Sequence, residues 1–309
     1  MIEAAFGHRT YYMCAKDDSG RICGVLPLVR QTSRLFGDNL TSLPFLNYGG
    51  AVGNSEDIEN VLMQSAGEFA QAAGISHVEF RDDRPRNGEW PVSTRKVSMR
   101  LELPDTPEAL GKSIGSKLRS QTRRSAKEGV VLETGSVELL PDFYQVLSRT
   151  WRDLGTPLYS RLFFEEICRQ FADDVVIVVA RLNSTPIAAG FLIGFDESIE
   201  IPWAGAIRDY NRISVNMALY WQALTHAIEK GYRVFDFGRS TTDSGTYRFK
   251  RQWGAEPVQL HWHYWLPNGA DLPDLNPSNP KYDMAIRVWQ KLPLAVTSRL
   301  GPPVSKFLP

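Results

Sequence analysis

The chain has 309 residues, 43% of them hydrophobic, which is enough for one large or two ordinary cores. Lysine plus arginine equal aspartate plus glutamate at 35 each, which excludes an overall positive field of the nucleic-acid-binding kind but leaves local patches open. Cys14, Cys23 and Cys168 form no CxxC and no even framework, and no apolar run reaches the roughly 18 residues of a membrane span, so the expected setting is reducing and cytoplasmic.

The first residues, MIEAAFGHRTYYM, lack the charged and apolar regions of a signal peptide. Residues 10–30 read as a β-hairpin, TYYMCA and RICGVLPLV joined by the turn DDSG. LTSLPFLNYGGAV, 40–52, reads as a strand closed by a glycine pair. A helix is expected over 55–73, where Ile58, Val61, Leu62, Ala66, Phe69 and Ala73 share one side, and Gly74 ends it. ISHVEF (75–80) and KVSMRLEL (96–103) follow as strands. The segment 113–133 is strongly basic, with Lys112, Lys117, Arg119, Arg123, Arg124 and Lys127 beside a thin stripe of Ile114, Leu118 and Ala126. Ser113 and Gly129 are its expected cap and stop. Such a run is either a solvated face or a surface for a phosphorylated carrier or a tRNA backbone. A helix follows over 138–153; LGTPLYS (154–160) breaks it, and another helix covers 161–171.

VVIVVARLNSTPIAAGFLI, 175–193, is a second hairpin, and SIEIPWAGAI, 198–207, is a strand. Residues 214–230 form a helix ended by Gly231, and YRVFDF, 232–237, is a strand. The order hairpin, strand, helix, strand therefore occurs twice. GISHVEF (74–80) aligns with GYRVFDF (231–237) without a gap, and GGAV (49–52) resembles AGAI (204–207). A duplicated α/β unit accounts for both.

Beyond Phe235-Asp236-Phe237 comes the polar run GRSTTDSGTY, followed by a short pattern at Phe249 and Lys250 and then Trp253 and Gly254. A hairpin turn takes about two to five residues, and this linker is longer and richer in functional groups. Asp236 lies mid-strand between two phenylalanines, so on a covered face it needs a partner or a proton; Arg239 and Arg248 are near in sequence. It is either a structural ion pair or a general base. Ser240, Thr241, Thr242 and Ser244 can bind a phosphate or sugar, or cap the loop. Tyr247 either packs or donates to an oxyanion. His261 and His263 of HWHYW share a side, but no third ligand accompanies them, so the expectation is no metal and a capping edge strand. A Pro- and Asn-rich linker leads to a helix over 281–292. The mildly amphipathic end, WQKLPLAVTSRLGPPVSKFLP, either docks on the protein or touches a membrane surface.

Four stretches carry a resemblance. FGHRTYYMCA with GVLPLV, KLRSQTRRSAKEGV (117–130), GYRVFDFGRSTTDSGTYRFKRQWGAEP (231–257) and NPKYDMAIRVWQKLPL (279–294) resemble the Fem-type aminoacyltransferase family. The likeness is to its branch found with PEP-CTERM/exosortase systems in exopolysaccharide gene clusters. It implies an α/β (α+β) fold of two tandem GNAT-like (acyl-CoA N-acyltransferase-like) domains, with mixed central sheets flanked by helices. The expected division is 1–108, a GNAT-like half without the leading segment relatives carry; 109–268, the transferase domain; and 269–309, a linker with a C-terminal helix. The resemblance further implies transfer of an acyl or aminoacyl group to an amine or hydroxyl of a polysaccharide or cell-envelope precursor.

Lys250 matches the lysine of the family's FK motif, which implies contact with the acyl centre or a substrate phosphate; without the motif it reads as a surface lysine on a strand. Arg152 and Tyr159 are the implied acceptor contacts. No permanently bound cofactor is expected, and the donor is aminoacyl-tRNA or acyl-CoA. A CoA site places a glycine-rich turn at a helix N-terminus, where exposed N–H groups meet the pyrophosphate. The matching segment, RDYNRISVNMALYW (208–221), has no glycine, and its Arg208 and Arg212 either bind phosphate or are solvated. Expected partners are a polysaccharide or lipid-linked sugar precursor and charged tRNA, with no DNA and with peripheral contact at the inner face of a membrane. The alternatives are a CoA-dependent N-acetyltransferase and a catalytically silent protein that binds a glycan precursor.

Overall fold

The structure, a computed structural model, describes residues 1–33, 37–88, 90–267, 270–273 and 280–308. The predicted Pro- and Asn-rich linker lies largely outside them. The elements of the first third are α1 (Ile2–Phe6), β1 (Arg9–Lys16), β2 (Ile22–Ser33), β3 (Gly37–Thr41), β4 (Val52–Gly53), α2 (Glu56–Ala72), β5 (Val78–Asp82) and β6 (Val92–Ser93). Then come β7 (Val97–Glu102), α3 (Pro107–Ser113), α4 (Ser116–Lys127), β8 (Val131–Gly135), α5 (Leu140–Leu154) and α6 (Arg161–Gln170). The second repeat holds β9 (Val175–Leu182), β10 (Thr185–Phe195), β11 (Ser198–Ala206), α7 (Val215–Glu229), β12 (Val234–Ser240) and α8 (Gly245–Arg251). β13 (Glu256–Gln259), β14 (His261–Trp265), α9 (Pro280–Lys291) and α10 (Leu294–Ser305) end the chain.

Two mixed sheets, ordered β1-β2-β3-β5-β14-β6 and β13-β7-β12-β11-β10-β9-β8, organise two compact units. The predicted repeat is present in both. A hairpin (β1/β2, β9/β10) leads to a third antiparallel strand (β3, β11), then a helix (α2, α7), then a strand parallel to the third (β5, β12). Gly74 and Gly231, with φ of +66° and +83°, end the two helices in the backbone region that glycine enters freely.

The units interleave where the sequence suggests a cut near residue 108. One is built from Ser98–Pro257 and the two last helices, the other from Ile2–Val97 and the segment beginning at Val258. The reason is strand exchange: β7 precedes the second repeat yet joins its sheet next to β12, and β14 follows that repeat yet pairs with β5. HWHYW is accordingly an inner strand between β5 and β6, not a capping edge.

The unit holding β5 has a core of Leu26, Leu28, Leu40, Met63, Val78 and Phe80. Ser55 caps α2, its Oγ accepting from Ile58 N, but Val61, expected on the buried side, is 60% exposed and Met63 and Ala70 are buried instead. The strand expected over 40–52 stops at Thr41, because Leu43 and Phe45 take φ of +51° and +72° and turn the chain away. In the other unit, Phe143, Phe163, Phe164, Phe191 and Trp203 of α5, α6, β10 and β11 pack edge-to-face or tilted under one side of the sheet. Helix α7 covers the other side with Ala218, Leu219, Ala223, Leu224 and Ala227. The basic segment is two helices rather than one: Ser113 is the last residue of α3, and Gly115 precedes α4. Its buried positions are Leu118, Thr122 and Ser125, while Ala126 is exposed.

Candidate active site

β11 and β12 pair in parallel only from Ser198–Glu200 to Val234–Asp236, yet β11 runs on to Ala206 and β12 to Ser240. The two strands separate at a bulge in β11. Phe191 opposes Trp203 and Ile193 opposes Glu200, so one residue is extra around Ile201–Pro202. A proline belongs there because it has no N–H to give a ladder. The bulge also resets the pleat, placing Glu200 and Trp203 on one face of the sheet. The ladder between them ends there, so the carboxyl ends of two parallel strands part in a cleft. The corresponding strands of the other unit, β3 and β5, leave no such cleft. Ser42 N donates to Glu79 O (2.9 Å), Gly49 N to Arg81 O (3.1 Å), and Arg81 N to Ser42 Oγ (2.9 Å), stitching the following loop along β5.

Asp236 is buried on β12, so the strand is covered on its face as well as on that of Phe235 and Phe237. Its Oδ1 accepts from Ser98 Oγ (2.6 Å) and Gly238 N (2.7 Å), and its Oδ2 from Arg100 Nε (3.3 Å). Ser98 and Arg100 belong to β7, brought alongside by the strand exchange and far from Asp236 in sequence, while Arg248, expected nearby, donates to Asp243 O. Engaged by three donors, Asp236 locks β7 to β12 and fixes the backbone at Gly238, whose φ is +73°. This is a positioning geometry.

Beyond Ser240 the chain makes a short helix, α8, where the sequence suggested a return strand. Ser244 caps it, accepting from Tyr247 N (3.1 Å) and bonding Thr246 Oγ1 (2.9 Å), so its hydroxyl serves the loop. The helix aims Lys250 back at β12. Lys250 is 7% exposed, and its Nζ donates to Gly238 O and Arg239 O, both at 2.9 Å. Burial pushes its ammonium down to about 8, against the opposing pull of Asp236 and then Glu200. It is neither exposed nor on a strand, and two carbonyl bonds leave one N–H uncommitted.

Ser240 stands two residues beyond Gly238. It is 4% exposed, and its Oγ is buried without a protein hydrogen-bond partner, so it can still bond a water or a ligand. Thr241 is exposed, and Arg239 and Tyr247 are half-buried. Tyr159 lies edge-to-face between Trp151 and Phe163, and Phe163 meets Trp203 of β11 in the same way. Arg152 is committed to Asp153 Oδ1 (2.6 Å) and Leu292 O (3.3 Å), which ties α5 to the chain after α9. Arg208 and Arg212 are exposed on a 3-10 turn, Arg208–Ile213, just before α7. Lys250, Asp236 and Ser240 thus meet around the end of β12, while Arg152 stands apart as a structural link. Glu200 escaped the sequence reading. It registers with Asp236 and lies near enough to Lys250 to favour its cation. Its signal is a charge alternating with Ile199 and Ile201 on a strand.

These pairs set a pH dependence. Lys250 is the cation below about pH 8 and loses its proton above it, so chemistry that needs the charge falls as pH rises through 8. For stability the sign is opposite. Between about 8 and the ordinary 10.5 the folded chain binds fewer protons than the unfolded one, so unfolding free energy rises with pH across that window. Denaturant titrations at stepped pH are expected to show this rise as the difference between the native chain and Lys250→Met, because Cys168, pushed up to about 11 by burial, contributes a fall with pH to both.

Residues 112–251 match the Acetyltransferase (GNAT) domain family, so the unit with the open cleft carries an acyl-transfer architecture. No curated protein sequence matches the chain. Among solved structures, FemX superposes with a TM-score of 0.62 at 14% identity, covering 92% of each chain. The C-terminal domain of a putative lysylphosphatidylglycerol synthetase from Agrobacterium fabrum gives 0.57 at 15% identity over 82% of this chain and 84% of that one. A tandem GNAT protein from the clavulanic acid biosynthesis pathway gives 0.51 at 11%, over 86% and 85%. The tandem GNAT-like fold is thereby established for this chain.

Proposed function

We propose that the chain is an acyltransferase of aminoacyl type, acting on an amine or hydroxyl of a polysaccharide or cell-envelope precursor. The observation that carries this reading is the open cleft between β11 and β12, with the buried Lys250 cation and the unpartnered Ser240 hydroxyl at its end. An acceptor amine attacks the donor's carbonyl directly; the amide bond forms as the acyl carbon's bond to the donor oxygen (a tRNA ester) or sulfur (a CoA thioester) breaks, and the departing group leaves with the proton that the amine gives up. Lys250 faces the oxygen as negative charge develops, and a preorganised donor in a dry site is worth most at that moment. Glu200, half-buried on β11, takes the proton from the amine. Asp236 holds the strand end on which both depend. The sequence resemblance supports an exopolysaccharide setting of the PEP-CTERM/exosortase kind, and the FemX and lysylphosphatidylglycerol synthetase likenesses support a cell-envelope acceptor.

Charged tRNA is the donor this reading favours. The turn before α7 has no glycine to bring its backbone against a pyrophosphate, and α4, packed on α7, turns Lys117, Arg123, Arg124 and Lys127 to solvent. The test is calorimetry with acetyl-CoA and with aminoacyl-tRNA, followed by mass spectrometry of an amino-sugar acceptor. Transfer from charged tRNA with no heat from acetyl-CoA is expected. Saturable acetyl-CoA binding with acetyl transfer would move the donor to CoA and leave acyl transfer standing. Glycan binding without turnover from either donor would replace the reading with a silent binding protein.

A further inference from the structure

Helix α10 is turned inside out. Its inward positions are small: Thr297, Gly301 and Ser305 are buried, and a Cβ on Gly301 would come within 2.8 Å of Leu158 N. Its outward positions are aliphatic, with Val296, Leu300 and Val304 at 37%, 45% and 39% exposure. An ordinary surface helix does the reverse, burying its aliphatic stripe and wetting its polar one. Helix α9, which packs on α5 as α10 does, turns Met284 and Val288 to solvent at 77% and 55% exposure, while Ile286 packs on Gly155. Aliphatic faces of this kind on neighbouring helices mark an interaction surface.

The charge says what covers it. Beyond the first turn of α9, which holds the exposed Asp283, the two helices carry Arg287, Lys291 and Arg299 and no further acidic residue. All three cations are exposed on the same helices as the aliphatic faces. We propose that α9 and α10 dock this protein on an anionic lipid bilayer, with the aliphatic side chains entering the headgroup boundary and the three cations facing the lipid charges. Aliphatic insertion flanked by arginine and lysine is the physical signature of an interfacial helix. A symmetric second copy fits poorly, because an isologous contact would bring the same three cations face to face. Crossing the bilayer is excluded for these helices, each of which has 12 residues. The docking does not depend on which donor or acceptor the cleft takes.

The test is co-sedimentation of the full chain with phosphatidylglycerol–phosphatidylcholine vesicles and with phosphatidylcholine vesicles alone. Binding to the anionic vesicles only, weakened by salt, is expected. Val288→Glu with Leu300→Glu is expected to lower that affinity at least about tenfold, and Arg287→Gln with Lys291→Gln and Arg299→Gln to do the same. These positions are exposed, so an unchanged circular dichroism spectrum and melting temperature confirm that the variants fold. Absence of binding to anionic vesicles at low salt would overturn the proposal, as would equal binding by the aliphatic double variant. A dimer in sedimentation equilibrium that Leu300→Glu converts to monomer, without vesicle binding, would assign the face to a second copy instead.

Discussion

Lys250→Met is expected to cut turnover by about two to three orders of magnitude while leaving the fold in place, the scale on which single oxyanion donors act. Methionine keeps an unbranched stem of similar length in the buried channel. It gives up the two bonds to Gly238 O and Arg239 O, each worth about 1 kcal/mol net, but it also removes the cost of burying an ammonium. Those terms oppose each other, so the melting temperature is expected to move little while kcat collapses. Lys250→Arg is no rescue. The guanidinium is wider and planar, and the site, 7% exposed, has no room for its fork. The measurement is steady-state turnover beside thermal melting for the native chain and both variants. A Lys250→Met enzyme with native kcat would remove Lys250 from the chemistry. A variant that loses turnover and melts far below the native chain would make the lysine a staple of the β12 end.

What the sequence made legible follows from where each signal lives. Hairpins, α2, α5, α6 and α7 carry their own periodicity and their own stops at Gly74, Gly155 and Gly231, so they were readable locally. α8 was not, because seven residues span too few turns to separate a helical period from a strand's; the cap at Ser244, three residues before Tyr247, was its readable mark. The partners of Asp236 lie 138 and 136 residues away, and no nearby arginine predicts that β7 crosses into this sheet. Lys250 was chosen by motif, and its burial is made by two elements folding over each other rather than by its neighbours in sequence. At the C-terminal end a mild amphipathicity was readable, but neither the bounds of α10 nor the outward aim of its aliphatic residues was, because Pro302 and Pro303 mask its helical period.

Asp236 separates positioning from base catalysis by two substitutions. Asp236→Ala removes the carboxylate that accepts from Gly238 N, Ser98 Oγ and Arg100 Nε. Breaking a buried pair typically costs about 3–5 kcal/mol, and Arg100, with about a third of its side chain exposed, recovers some hydration, so roughly 3 kcal/mol is expected. For a unit of this size that is a melting shift of about 6–12 °C. Asp236→Asn keeps one carbonyl oxygen for Gly238 N and Ser98 Oγ but turns an NH2 donor toward Arg100 Nε, losing that charge-assisted bond, so about 2 kcal/mol is expected. The activities should follow the same order. With Asp236 as the group that fixes the strand end, Asp236→Asn retains turnover within about tenfold of native, and the pH profile stays governed by Lys250 but moves to lower pH, because the carboxylate that most favours its cation is gone. With Asp236 as the proton acceptor, Asp236→Asn would be as inactive as Asp236→Ala at nearly native stability, and Glu200→Gln would be tolerated. The expected pattern is the converse: Glu200→Gln loses kcat, because a half-buried carboxylate beside Lys250 at the point where β11 leaves β12 is placed to take a proton, and thermal melting of the variant separates that loss from a loss of fold.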